Sequence, residues 1–344
     1  MAEFPPSMMD DPLLEVLSRI APGTALREAI DNIIRARTGA LIIIGGEPEI
    51  DEDCEGGFRL DVPFHHEFVY ELAKMDGAIL LDQDIHRIRK ANVELIPKKY
   101  ATSAETGMRH RTAERIAKTR NATVIAVSER RSIVTIYKGQ SRYVLHDLSY
   151  ILTKATSALA SLSRYDRLFR SAVRRLAESE AEEAVPLVDV IEALRRGYIA
   201  LTIRQEINRY VVELGRDGHL IDLQLEEYPD IFRDWIGIWK DYQAQNIPVP
   251  NPVILDAASW SQEMWANRLG YDQLDYRIEP RGYRLLHTIR LPDDVIEILM
   301  HEYRTLSEMR QASLDDFSQI SGIGSQRART IWAALHETYS DANF

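Results

Sequence analysis

Cysteine is nearly absent. The 344 residues hold one, Cys54, which excludes an internal disulfide and any multi-cysteine metal site. Long apolar runs are missing too. The longest, Ala40–Ile44, is far short of the roughly 20 residues a membrane helix needs, so no membrane partner is expected. The first residues carry acids and prolines but no basic stretch. No secretory signal is read there, and a cytoplasmic location is the expectation. Positive charge is not in excess: 42 Lys+Arg against 53 Asp+Glu give a net −11. That argues against a chain that coats nucleic acid by bulk electrostatics. No low-complexity tract and no repeat of fixed period is visible. What remains, 45% hydrophobic and 28% charged residues, is the composition of a globular protein. At roughly 100–200 residues per domain, two or three domains are expected.

The pattern along the chain changes twice. Up to about residue 145, helix and strand signals alternate. Pro12–Arg37 reads as one helix, and Ala40–Ile44, closed by Gly45-Gly46, as a buried strand. Glu67–Lys74 reads as a helix, Ala78–Leu81 as a strand, and Thr106–Lys118 as the start of another helix. Thr123–Val127 and Ile133–Tyr137 are β-branched runs around a polar Ser128-Glu129-Arg130-Arg131 turn, a hairpin pattern. From Leu148 to Leu176, apolar or small residues recur every three or four positions, which predicts one long helix. Further helices are read over Pro186–Leu194 and Ile199–Leu214, with Gly215 as C-cap. Trp235, Trp239, Trp260 and Trp265 read as core, and Pro248, Pro250 and Pro252 as an extended connection. From about residue 290 the chain is short, helical and punctuated by turns. The expected division is therefore 1–145, 146–289 and 290–344.

Two short motifs carry candidate chemistry. In Met75-Asp76-Gly77-Ala78 a helix signal ends, an acid and a glycine follow, and a buried strand begins. The glycine permits close approach of a ligand to the backbone, and the acid offers a metal ligand or a proton acceptor. The same pair is also a common turn. In Met108-Arg109-His110-Arg111-Thr112, a predicted helix begins with cations. A helix start presents unpaired N–H groups and the positive end of the dipole, so a basic first turn is unfavourable unless an anion sits there. Arg109 to Arg131 forms the one locally basic window of an acidic chain. A solvated helix face and an anion site are its two readings. His65, His66, His86 and His146 lack metal-ligand spacing and are given no role.

Together, Asp76-Gly77-Ala78 and Arg109-His110-Arg111 resemble the paired signatures of diadenylate cyclase domains. The flanks Tyr70–Met75, Ala91–Pro97 and Ser128–Tyr137 are similar too. The rest of the chain resembles one branch, the DNA-integrity scanning proteins of the DisA family. The resemblance implies an α/β cyclase domain with a mixed β-sheet flanked by helices, an all-α spine, and a C-terminal helix-hairpin-helix module like that of RuvA. It implies condensation of two ATP into cyclic di-AMP with release of two pyrophosphates, Mg²⁺ or Mn²⁺ as cofactor, and a homo-octamer of facing cyclase pairs. By the same analogy Asp76 would be catalytic and bind the metal. Gly77, Ala78, Leu95, Met108, Arg109, His110, Arg111, Thr112, Ser128 and Arg131 would bind ATP. Met108 stands where many relatives carry threonine, so a hydroxyl contact is lost there. Glu129 stands where some carry arginine.

The segment Leu314–Gly324, continuing through Arg327, Ala328 and Ile331, carries the hairpin resemblance. Gly322 and Gly324 would let backbone N–H groups meet a DNA phosphate, with Ser325, Arg327 and Arg329 nearby. A degenerate second copy could follow Leu291-Pro292. Branched DNA such as four-way junctions is the expected partner, acting as an inhibitor of the cyclase, in a nucleoid-associated cytoplasmic protein. A different class of function, a non-catalytic nucleotide-sensing scaffold on DNA, is separated from the enzyme by whether ATP is converted to product.

Overall fold

The computed structural model describes residues 12–99, 101–181, 185–228, 231–244, 247–252, 255 and 257–336. The described residues pack as two compact units, one from 12–156 with 208–223, the other from 157–207 with 224–336.

The first unit is built on a mixed sheet. Its elements are α1 (Pro12–Arg19), α2 (Ala25–Arg35), β1 (Ala40–Gly45), β2 (Cys54–Glu55), β3 (Phe58–Pro63), α3 (His66–Leu72), β4 (Ala78–Leu81), β5 (Arg87–Leu95), α4 (Met108–Thr119), β6 (Ala122–Val127), β7 (Val134–Lys138) and β8 (Ser141–Val144). The strand order is β2-β5-β4-β1-β6-β7-β8, with β3 also on β5. β1 pairs parallel to β4 and antiparallel to β6. The sheet is covered on both faces, so its central strands are continuous apolar runs rather than alternating ones. Ile42, Ile44, Ile79 and Ile125 pack with α1, α2 and α3. Leu41, Ile43, Leu80 and Val124 pack with Ala113, Ile116 and Ala117 of α4.

Two expectations are corrected here. Pro12–Arg37 is not one helix, because Gly23 takes φ +91 and Thr24 caps α2 by accepting from Arg27 N at 3.2 Å. Pro22-Gly23-Thr24 was the readable signal of that break. Residues 186–214 are not two helices but one, α6 (Leu187–Leu214), following α5 (Leu148–Ala181) and the two-residue β9 (Val185–Pro186). Gly197 does not interrupt α6. It is required there, since a Cβ would lie 2.7 Å from Trp235 and 2.8 Å from Phe169.

The second unit continues with α7 (His219–Leu225), which the first unit shares, then α8 (Ile231–Tyr242), α9 (Gln262–Leu269), β10 (Arg277–Ile278) paired with β9, and α10 (Tyr283–Thr288). Trp235, Trp239 and Trp265 are fully buried. Four helices end the chain: α11 (Asp293–Glu302), α12 (Leu306–Gln311), α13 (Leu314–Gln319) and α14 (Ser325–His336). Their core holds Leu299, Met309, Phe317 and Ile331, and it includes Tyr283 and Leu286 of α10. α10 is tied on its other side to α8. Buried Asp241 accepts from Gly282 N at 2.9 Å, from Tyr283 N and from Arg284 Nε at 2.8 Å. Arg284 also pairs with buried Glu180, whose carboxylate takes the Tyr242 hydroxyl as well. Among the described residues no helix is long and apolar enough to cross a membrane.

Replacing Asp241 by Ala would take the buried acceptor from the first N–H groups of α10 and leave Arg284 with Glu180 alone. The expected cost is about 1–3 kcal/mol, read as a lower midpoint in urea unfolding followed by tryptophan fluorescence. An unchanged midpoint would show that Asp241 does not hold α10.

Candidate functional site

Strand register brings distant segments to one rim of the sheet. Leu41 pairs with Ala78 and Ala126, Ala78 with Val93, and Ala126 with Thr135. Carried two residues outward along β5, β4, β1 and β6, that row becomes Leu95, Asp76, Gly39 and Ser128. Neighbouring strands lie about 4.8 Å apart, so these positions line a single rim.

α4 reaches the same rim by length. It runs into β6 through Arg120 and Asn121 and packs on that strand. Its 12 residues span about 18 Å, and the six-residue β6 spans about 20 Å. Running antiparallel to β6, the helix therefore begins above Ser128. Its far end is fixed by buried Arg120, which grips Asp53 through Nε at 2.6 Å and Nη2 at 2.9 Å.

The near end of α4 lacks the usual stabilisers. Its N-cap is Gly107, with no side-chain cap, and its first turn holds no acid. Cations occupy the positive end of the dipole instead, an arrangement that favours a bound anion. The Arg109 guanidinium lies across Gly39: a Cβ on Gly39 would fall 2.2 Å from Nη1. Arg111 folds back to donate to the Thr106 carbonyl at 3.1 Å. His110 meets Tyr137 edge-on, with ring centroids 6.5 Å apart. Glu105 accepts from the Tyr137 hydroxyl at 2.8 Å and from Arg142 Nε at 2.7 Å, which fixes the loop that leads into α4. Burial pushes the Glu105 carboxyl up, but these hydrogen bonds outweigh it and hold the group below the usual carboxylate range. His110 moves down. Burial is the main cause, Glu105 opposes it, and Arg109, Arg142 and Arg131 push further. Arg131 is thus part of the field around His110, on the exposed turn after β6.

The other predicted residues fall as follows. Asp76 is exposed, and among the described residues its carboxylate has no hydrogen-bond or ion-pair partner. Gly77 takes φ +131, and a Cβ there would sit 2.7 Å from the carbonyl carbon of Asn92 and 2.9 Å from Val93 N. The close β4–β5 approach alone demands this glycine. Ala78 is wholly buried, so its side chain belongs to the core. Leu95 is half-buried against the α4 face of the sheet. Met108 is 83% exposed, and Thr112 is half-buried one turn on. Ser128 donates its N–H to the Ile133 carbonyl at 2.8 Å, closing the turn. Gly39, Glu105, Tyr137 and Arg142 were not singled out from the sequence. An acid just ahead of a cationic helix start was the available signal for Glu105. Nothing local marks Gly39.

The C-terminal candidates sit at the turn between α13 and α14. Gly322 takes φ +95 and is exposed, while Gly324 is exposed with open space where a Cβ would be. Ser325 and Arg327 are exposed at the start of α14. α14 carries Arg327 and Arg329 and no acid. Glu302, Glu308 and Asp316 line a cavity of about 970 Å³ between α11, α12 and α13. A second cavity of about 540 Å³ lies at the opposite rim of the sheet, beside Gly45, Gln83 and Arg120. Neither is at the Asp76 rim, which is an open face.

Comparison with known proteins places these features in context. The family model for the DisA bacterial checkpoint controller nucleotide-binding region matches residues 27–142. The model for the DisA bacterial checkpoint controller linker region matches residues 145–269. The chain is 41% identical to the DNA integrity scanning protein DisA of Carboxydothermus hydrogenoformans, covering 98% of this chain and 99% of that one. It is 42% identical to the protein of the same name from Symbiobacterium thermophilum (93% and 94%) and 40% identical to that from Bacillus licheniformis (94% and 93%).

Gly39→Ala is expected to leave the unfolding temperature nearly unchanged, because only the flexible tip of Arg109 must move. Triphosphate binding should weaken about tenfold with the loss of one charge-assisted contact, measured by calorimetric titration; unaltered affinity would remove Arg109 from the anion site. His110 should titrate below the ordinary histidine value of 6.5. A depressed imidazole binds its proton more readily in the unfolded chain. Its contribution to stability is therefore full above the ordinary histidine range and is lost as pH falls through that range toward the folded midpoint. NMR of the His110 ring should show the low midpoint, and added triphosphate should raise it. A midpoint at or above the ordinary value would contradict the field described.

Proposed function

Because the chain belongs to the DisA family, whose nucleotide-binding model and full-length relatives it matches, we propose that it is a diadenylate cyclase. It condenses two ATP into cyclic di-AMP and releases two pyrophosphates. The observation that carries this reading most directly is the shared rim of Asp76 and the Arg109–Arg111 helix start, inside the matched nucleotide-binding region. We divide the chain into a cyclase segment 1–145, a helical segment 146–289 and a C-terminal segment 290–344.

In this reading the triphosphate lies on the uncapped start of α4. The free N–H groups there, with Arg109, Arg111 and Arg131, offset the charge that builds on the departing pyrophosphate. His110 can donate a hydrogen bond to the triphosphate from the same helix start. Thr112 and Ser128 offer hydroxyls at the same end, Met108 its backbone N–H. Leu95 lies level with Asp76 and provides an apolar contact for the base. Gly77 and Ala78 present backbone to the nucleotide. Asp76 activates the 3′-hydroxyl that attacks the α-phosphate. Since a ribose hydroxyl is a poor nucleophile, positioning dominates. An open rim fits a reaction between two facing copies, each holding one ATP, and an octamer of such pairs is the assembly we favour.

A divalent ion, Mg²⁺ or Mn²⁺, fits Asp76. The side chain is a hard oxygen donor, exposed and without a partner among the described residues. Among the described residues no three His, Cys, Asp or Glu converge as a protein-only metal site. Mg²⁺ is commonly held by one or two carboxylates together with substrate phosphates. Bound there, the ion would lower the pKa of the attacking hydroxyl and neutralise phosphate charge.

The α13–turn–α14 unit is read as a helix-hairpin-helix that meets DNA phosphate through the backbone at Gly322 and Gly324, with Ser325 and Arg327 beside it. Segregation of charge supports this: α14 is free of acids, although the region as a whole is acidic. Branched DNA such as four-way junctions is the proposed ligand, lowering cyclase output in a cytoplasmic, nucleoid-associated enzyme.

Incubation with ATP and Mg²⁺ or Mn²⁺, with and without a four-way junction, followed by chromatography of the products, tests the reading. Cyclic di-AMP is expected, and less of it when the junction is present. Asp76→Asn should reduce turnover by at least a hundredfold, the low end of general-base effects, with ATP affinity within a few-fold of the parent. An active Asp76→Asn variant would exclude the role given to that carboxylate.

A further inference from the structure

We propose that the outward stripe of α14, centred on Trp332, is a binding site for unpaired nucleobases, with the indole as the stacking platform. This rests on the reading of the preceding turn as a phosphate contact and extends it to what the site discriminates.

α14 buries Ala328, Ile331 and Leu335, which fixes its other side outward. There Ser325, Arg329, Trp332 and His336 follow at steps of four, three and four residues, one continuous line on a helix. Trp332 is 39% exposed, whereas Trp235, Trp239 and Trp265 are at most 1% exposed. Its indole is held rather than loose. The His336 ring stacks on it at 4.3 Å and 23°, and His336 Nδ1 lies 2.8 Å from the Trp332 carbonyl. An aromatic ring backed by His336 and 39% exposed is a surface of the kind that bases stack on.

The spacing from the turn supports the same ligand. Trp332 lies eight positions after Gly324, about 12 Å along the helix axis. A phosphate at the turn would thus leave a neighbouring nucleotide within reach of Arg329 and then of the indole. In an intact duplex every base is stacked and paired and offers no free face. At a branch, gap or bubble a splayed base does. Stacking on an aromatic ring is tolerant of sequence, which suits recognition of a structural lesion. Bulk charge cannot provide that discrimination, because 290–344 is net acidic and the arginines of α14 would favour any phosphate equally.

The test uses the full-length chain and two fluorescent probes, a fully paired duplex and the same duplex with a central bubble of unpaired bases. The parent should prefer the bubble and show quenched indole emission with it. Trp332→Ala should bind the duplex as the parent does but lose about tenfold on the bubble, together with the quenching. Trp332→Phe should keep most of the preference. Gly324→Glu, which fills open space with an acid, should lose both probes. If Gly324→Glu loses both while Trp332→Ala keeps the full preference, stacking is wrong and the phosphate reading stands. If the parent binds neither probe, or Gly324→Glu binds both as the parent does, the phosphate reading fails and takes this proposal with it.

Discussion

β1 hydrogen-bonds to β4 in the parallel sense and to β6 in the antiparallel sense. That pairing makes the start of β1, the start of β4 and the end of β6 meet at one rim, with Gly39, Asp76 and Ser128 just beyond those strand ends. A slip of one residue between β1 and β4 would exchange the side chains that β4 presents to its two packed cores and carry Asp76 away from Gly39. The register is therefore protected by the core itself. Gly77 adds a second lock, since its bare Cα is what lets β4 close against Asn92 and Val93.

The rim gathers positive charge in a chain whose net charge is −11. Arg109, Arg111 and Arg131 stand around an uncapped helix start, and Glu105 is engaged with Tyr137 and Arg142. Such a cluster is unfavourable on its own, and it persists because α4 is anchored elsewhere. Its far end is held by Arg120 on Asp53, and one flank by Lys118 and Ser103 on Glu114. The local cost of assembling like charges is thus borne by contacts remote from the rim. In the C-terminal helices charge is likewise uneven, since α14 carries Arg327 and Arg329 and no acid.

Much of this was legible in the sequence. The buried strands at 40–44 and 78–81, the hairpin from 123 to 137 and the helix starting near residue 108 all carry strong local patterns. The two tripeptides mark the rim because their chemistry is local. Other features were hidden because their causes are not local. β5 carries charges at Arg89 and Lys90 that pair with Glu47 and Asp51, some forty positions earlier in the chain. Gly39 looks like any loop glycine until Arg109, seventy positions on, lies across it. Gly197 looks like a helix breaker until Trp235 and Phe169 fill the space where its side chain would be. The break at Pro22-Gly23 was visible, but the apolar periodicity on either side of it masked the turn.

α10 belongs to two cores at once. Tyr283 and Leu286 face the last four helices, while the amide groups of Gly282 and Tyr283 are clamped by Asp241 of α8. Both sets of contacts fall on the same short helix. Torque applied to α14 by a DNA strand would accordingly be delivered through α10 to a buried carboxylate instead of being spent in a slack tether. The last four helices and α8 thus share one six-residue helix between them.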